Sequence, residues 1–137
     1  MSASDRRVFA LLNTVAMPWW LAMIVMPHSR ATVWLMERLP VVLAALGVTY
    51  VGLLARAIDG GLLDRMDSDS LRQAISRPDA FLAGWAHYLA CDVFVGRWIW
   101  RTALAEGRGC RVALLLTLLA GPSGLLLFMV QRRLRPA

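Results

Sequence analysis

Ala83-Gly-Trp-Ala-His-Tyr-Leu-Ala-Cys-Asp-Val-Phe-Val-Gly-Arg-Trp98 is apolar enough to enter a bilayer, yet it sets His87, Asp92 and Arg97 within about three helical turns. A charged side chain deep in a membrane costs at least ~2.5–3.5 kcal/mol, so such residues usually face a protein interior and a task. This stretch reads as an intramembrane helix and marks the segment in which function should be sought.

The rest of the chain supports that reading. Hydrophobic residues make up 58% and charged residues only 18% of the 137, and the charges cluster between long apolar runs. Residues 8–26, 40–55, 80–100 and 112–130 each approach the ~20 apolar residues that cross a bilayer as a helix. Helices are the economical solution there, because lipid offers backbone N–H and C=O groups no partner. We therefore expect an all-α integral membrane four-helix bundle, with residues 1–137 forming a single transmembrane domain. The net charge of +6 comes from arginines at the ends of apolar runs, with no lysine at all. That placement suits a membrane surface and its lipids rather than nucleic acid.

Arginine placement also gives an orientation. With both termini cytoplasmic, Arg6, Arg7, Arg56, Arg65, Arg72, Arg77, Arg132, Arg133 and Arg135 lie inside, against Arg30, Arg38, Arg101, Arg108 and Arg111 outside. The first apolar run follows directly on Arg6-Arg7 and is rich in Trp, so we expect a retained first span rather than a transit or signal peptide. The expected location is a bacterial inner membrane, crossed several times.

Local signals place the connections. Gly60-Gly61 should end the second helix, and Asp67-Ser-Asp-Ser followed by Leu71 and Ile75 predicts a capped short helix, lying at the membrane interface, in the connection between spans two and three. Pro78-Asp79 suits the first turn of the next helix. Pro18 should loosen span one near Asn13-Thr14, and Pro122, flanked by Gly121, Ser123 and Gly124, should do the same near Thr117.

On an ideal helix His87, Cys91, Phe94 and Trp98 share one face, while Trp85, Tyr88, Asp92, Gly96 and Ile99 share another about 140° away. His87 and Asp92 can serve one pocket only if other helices wrap both faces of span three, which we expect to be innermost. The catalytic reading makes His87 a general acid or base, Asp92 its counterpart or an electrostatic stabiliser, and Arg97 a further stabiliser. Trp85, Tyr88, Asn13 and Thr117 would line the substrate. The alternative is structural: His87 and Asp92 hold helices together, Arg97 snorkels to the interface and the tryptophans are interfacial anchors. Cys91 and Cys110 fit no ligand spacing, and phosphate loops and nucleophile elbows are missing, so neither metal nor cofactor is expected.

The quoted stretch, together with Pro18-Trp-Trp-Leu-Ala-Met-Ile-Val-Met-Pro27 and Leu114-Leu-Leu-Thr-Leu-Leu-Ala-Gly-Pro-Ser-Gly-Leu-Leu-Leu-Phe128, resembles the plant neoxanthin synthase (abscisic-acid-deficient) family and its bacterial relatives. The resemblance implies a four-helix membrane protein connected with carotenoids. It also implies an isomerisation in which an acid protonates an epoxide oxygen and a base removes a proton from the polyene. His87 and Asp92 would then exchange protons and Arg97 would stabilise the alkoxide. A carotenoid or other isoprenoid is the implied substrate. The other reading is a non-enzymatic bundle that binds pigment or lipid or assists a membrane partner. A transporter is disfavoured, since four spans supply little alternating-access machinery. The sequence says nothing of oligomeric state.

Overall fold

The computed structural model describes residues 1–60 and 67–134, and every regular element among them is a helix. In chain order these are α1 (Ala3–Val25), α2 (Arg30–Asp59), α3 (Ser68–Ile75), α4 (Pro78–Ala105), α5 (Arg111–Ala120) and α6 (Pro122–Leu134). By length and composition α1 and α2 are apolar enough to cross a membrane. α4 has 28 residues, but His87, Asp92 and Arg97 interrupt its apolar run.

The short-range signals act as expected. Asp67 caps α3 by accepting from the Asp69 and Ser70 backbone N–H groups at 3.1 and 3.0 Å. The Ser70 N–H holds the Asp67 carboxyl below its ordinary range, with the Ser70 hydroxyl adding to it. No residue of α3 is buried, as befits a helix lying on a surface. Pro78 opens α4 in the first turn, where its missing N–H costs nothing. α2 ends at Asp59, with Gly60 in the following turn; Gly61 lies outside the described residues. Pro18 stays inside α1 without ending it.

The second helix starts earlier than expected. Residues 40–55 are only part of α2, which begins at Arg30 and carries Pro40 in its interior. Ser29 explains the earlier start: its hydroxyl accepts from the Thr32 N–H at 3.0 Å, an N-terminal cap eleven residues ahead of the proline. Thr32 is fully buried and donates to the Met26 carbonyl at 2.7 Å, which fastens the new helix to the end of α1. Pro40 removes one donor from the helix ladder and does not end it.

The largest departure is in the fourth apolar segment. Residues 112–130 are not one span but two antiparallel helices, α5 and α6, which reverse at Gly121-Pro122 and pack along each other. Gly121 makes the turn with φ +45°, a conformation glycine adopts without strain. Past the turn, Gly124 lies so close to α5 that a Cβ there would collide with the Ala113 carbonyl and with Thr117. At the far end Arg132 reaches Glu106, with Nη2 at 2.5 Å from Oε1 and Nε at 2.8 Å. Arg108 joins the same carboxylate at 2.8 Å. The Arg132 guanidinium holds the Glu106 carboxyl below the usual range, and Arg108 adds to the effect. A helix of 10 residues is ~15 Å long, half the thickness of a bilayer core.

The described residues fall into two compact units, and α1, α2 and α4 each run from one into the other. The first (Met1–Val15 and Val41–Ala90) is built on Leu53, Leu82 and Ala83, with Val8, Phe9, Tyr50 and Leu54 packed against them. In the second (Ala16–Pro40 and Cys91–Ala137), Trp20, Met23, Leu39, Ile99, Leu114 and Phe128 are fully buried. There Gly96 lets α4 approach Trp20 and Met23 closely, and the Trp100 indole N–H donates to the Pro27 carbonyl at 2.8 Å.

α4 is not wrapped on all sides as expected for an innermost span. Burial falls on one side of the helix, at Leu82, Ala83, Ala86, Leu89, Val93, Gly96, Ile99, Trp100 and Ala103. The face carrying His87, Cys91, Phe94 and Trp98 is exposed from end to end. The grouping read from the sequence holds; the prediction that other helices cover both groups does not.

Candidate functional site

In the first unit, Phe81, Trp85 and Tyr88 recur at i, i+4 and i+7, a spacing that stacks side chains along one face of α4. Phe81 and Trp85 have ring centroids 6.2 Å apart, and Trp85 and Tyr88 5.6 Å apart, with interplanar angles of 18° and 23°. Phe9 of α1 adds a fourth ring, 6.1 Å from Phe81 and 5.2 Å from Trp85. Together they form a continuous aromatic ladder. Its end members Phe81 and Tyr88 stay open to the surroundings, while Phe9 and Trp85 are half-buried.

One polar contact fixes the ladder's angle. Asn13 donates from Nδ2 to the Phe9 carbonyl one turn back, at 2.7 Å, which turns Oδ1 outward. The Trp85 indole N–H donates to that oxygen at 3.3 Å. Asn13 and Trp85, both read from the sequence as lining the substrate, thus meet, and Tyr88 stands beside them. His87 projects from a different side of α4, where its ring lies 5.4 Å from that of Tyr50 on α2. Sequence reasoning missed Phe9, Phe81 and Tyr50. The aromatic spacing 81, 85, 88 was a readable signal for Phe81; Phe9 and Tyr50 depend on which helices become neighbours.

The remaining candidates lie in the second unit. Asp92 and Arg97 are half-buried on α4. Thr117 is fully buried, but its hydroxyl donates to the Ala113 carbonyl at 2.9 Å and its side chain lies against Gly124. Its visible work is to close the hairpin. Among the described residues no three His, Cys, Asp or Glu side chains gather where they could hold a metal ion.

This arrangement offers a ladder of four aromatic rings with one fixed polar point, and an imidazole on the same helix. No curated protein and no solved structure matches the chain. The model of one family matches residues 7–128, which takes in α2 to α5 whole and most of α1 and α6. The chain therefore belongs to the ABA DEFICIENT 4-like family.

Proposed function

We propose that the protein is a multi-pass membrane enzyme that isomerises a carotenoid or another isoprenoid lipid by acid–base chemistry along α4. The observation that carries this reading is the ladder of Phe9, Phe81, Trp85 and Tyr88, with the Asn13–Trp85 contact at its centre. A polyene can lie along successive aromatic faces, and family membership makes such a molecule the natural choice. With an epoxide next to the polyene, an acid delivers a proton to the epoxide oxygen and the C–O bond opens. A base then takes a proton from the neighbouring chain carbon, and the electrons left behind form the new double bond. No electron is gained or lost overall. His87 and Asp92 are the groups we assign to the two proton transfers, and Arg97 to the developing oxyanion.

In the membrane, α1, α2 and α4 cross and the α5–α6 hairpin enters and returns. Three crossings put the termini on opposite sides. This changes the arginine balance: Arg132 and Arg133 join Arg30, Arg38, Arg101, Arg108 and Arg111, opposite Arg6, Arg7, Arg56, Arg72 and Arg77, while Arg65 and Arg135 lie outside the described residues. The larger group belongs on the cytoplasmic side, so the C-terminus faces the cytoplasm.

The exposure of His87 favours a second reading, in which the ladder holds a pigment without transforming it. Expression in a host that makes epoxy-carotenoids separates the two. A new pigment with the mass of its precursor is the expected result. An unchanged pigment that co-purifies supports the binder, and neither a product nor a bound pigment overturns both.

A further inference from the structure

An apolar groove of about 530 Å³ runs between α1 and α2 in the second unit, lined by Pro18, Leu21, Val25, Ala31, Trp34 and Leu35 among others. Its size lies within the ~300–1,000 Å³ of ordinary small-molecule sites. The hydroxyl of Thr32, which also lines it, is already committed to the Ala22 and Met26 carbonyls, so the groove offers hydrocarbon and little else.

Its rim is different. Arg111 donates to the carbonyl of Val25, a groove residue, at 3.3 Å. Arg38 lies 3.5 Å above the ring of Trp34, another groove residue, and donates to that residue's carbonyl at 3.0 Å. Both guanidiniums are thus fastened to the walls by part of their donor set, with the rest of the fork turned to the surroundings. Neither is paired with a carboxylate among the described residues. The setting reinforces them: the second unit's sequence holds nine arginines against Glu37, Asp92 and Glu106, whereas the first holds six arginines and six aspartates. The whole net charge of +6 therefore belongs to the unit that bears the groove.

We propose that this groove is a binding site for an anionic phospholipid, with an acyl chain along Pro18, Leu21, Val25 and Trp34 and the phosphate between Arg38 and Arg111. An uncharged polyene gains nothing from two guanidiniums, and a second copy of the chain brings its own excess of arginines against them. The site rests on the membrane reading and is independent of any reaction at the aromatic ladder.

The test is native mass spectrometry of the delipidated full chain in detergent, titrated with dioleoyl-phosphatidylglycerol or dioleoyl-phosphatidylcholine. Phosphatidylglycerol should bind more tightly, and Arg38→Gln and Arg111→Gln should each weaken it by about fivefold, corresponding to ~1 kcal/mol per guanidinium. Arg111→Lys should keep most of the preference. Ala31→Trp, at an exposed groove position, should weaken both lipids, and Leu35→Trp serves where Ala31→Trp misfolds. Arg56→Gln in the first unit should change nothing. Equal binding of the two lipids, a preference that survives loss of both arginines, or displacement of phosphatidylglycerol by millimolar inorganic phosphate overturns the proposal. None of these outcomes bears on the pigment assay, so the two readings fail separately.

Discussion

Glu106 and Arg132 stand 26 positions apart in sequence and meet at 2.5 Å. A continuous helix over the intervening apolar residues would hold them ~39 Å apart at 1.5 Å per residue. Their pairing is therefore the signature of the hairpin, and it brings the C-terminal end of α6 back beside the end of α4. The T-shaped contact of Trp98 with Phe128, centroids 5.7 Å apart, supports the same return.

The first prediction concerns topology. A reporter active only outside the cytoplasm and one active only inside, each fused to either terminus, should give opposite results at the two ends. Like results at both ends would mean an even number of crossings, two or four, and would overturn the three-crossing arrangement.

The second prediction concerns pH. The folded-state carboxyl of Glu106 is held below its ordinary value by Arg132 and Arg108, so its contribution is complete above that value and disappears as pH falls through the folded one. The difference in thermal stability between the native chain and Glu106→Gln should be present at pH 7 and vanish in acid. It should also shrink in high salt, because Arg132 is partly exposed. A difference that grows on acidification would contradict the ion-pair account.

Much of this fold was legible because its signals are local. Asp67 before an apolar repeat, Pro78 in a first turn and glycine after α2 each act within a few residues. The hairpin was not, since Gly121-Pro122 begins a kink and a reversal with the same residues. What separates the two outcomes is the clasp of Glu106 by Arg108 and Arg132, which no periodicity announces. Pro40 misled for a related reason: it suits a helix start, but the Ser29 cap and the buried Thr32 had already begun the helix. Within the site, α4's own face was readable, whereas Phe9 and Tyr50 come from helices whose neighbours the sequence does not name.

The third prediction separates two glycines. A Cβ at Gly124 would strike the Ala113 carbonyl and Thr117, backbone and a buried side chain that have nowhere to go. Gly124→Ala should lower stability by ~1–3 kcal/mol, the usual cost of overpacking. Gly84, mid-helix on α4, has open space where its Cβ would be, so Gly84→Ala should be neutral or stabilising by up to ~1 kcal/mol. Thermal unfolding in detergent reads both, and equal effects would count against close packing in the hairpin.

The fourth prediction tests the ladder apart from the chemistry. Trp85→Phe keeps a ring for Phe9, Phe81 and Tyr88 but removes the donor to Asn13 Oδ1. A neutral hydrogen bond contributes ~1 kcal/mol net, so the variant should stay folded and bind pigment up to about fivefold more weakly. Trp85→Ala opens the middle of the ladder and should abolish retention of the pigment. If both variants retain pigment at the native level, the ladder is packing and the ligand lies elsewhere.

The last prediction concerns His87, Asp92 and Arg97. A general acid or base supplies a factor of ~10²–10⁴, so His87→Ala and Asp92→Asn should each remove detectable product while pigment binding on the ladder persists. Arg97→Gln should have the smallest effect of the three, since Arg97 stabilises charge without moving a proton. Tyr50→Phe provides the internal contrast. It keeps the ring 5.4 Å from His87 and removes only a hydroxyl, so a loss as large as that of His87→Ala would make Tyr50 part of the proton path. Native activity in both His87→Ala and Asp92→Asn would reduce α4's polar residues to structural ones. Lost product with retained pigment separates chemistry from binding, because a variant that merely unfolds loses both together.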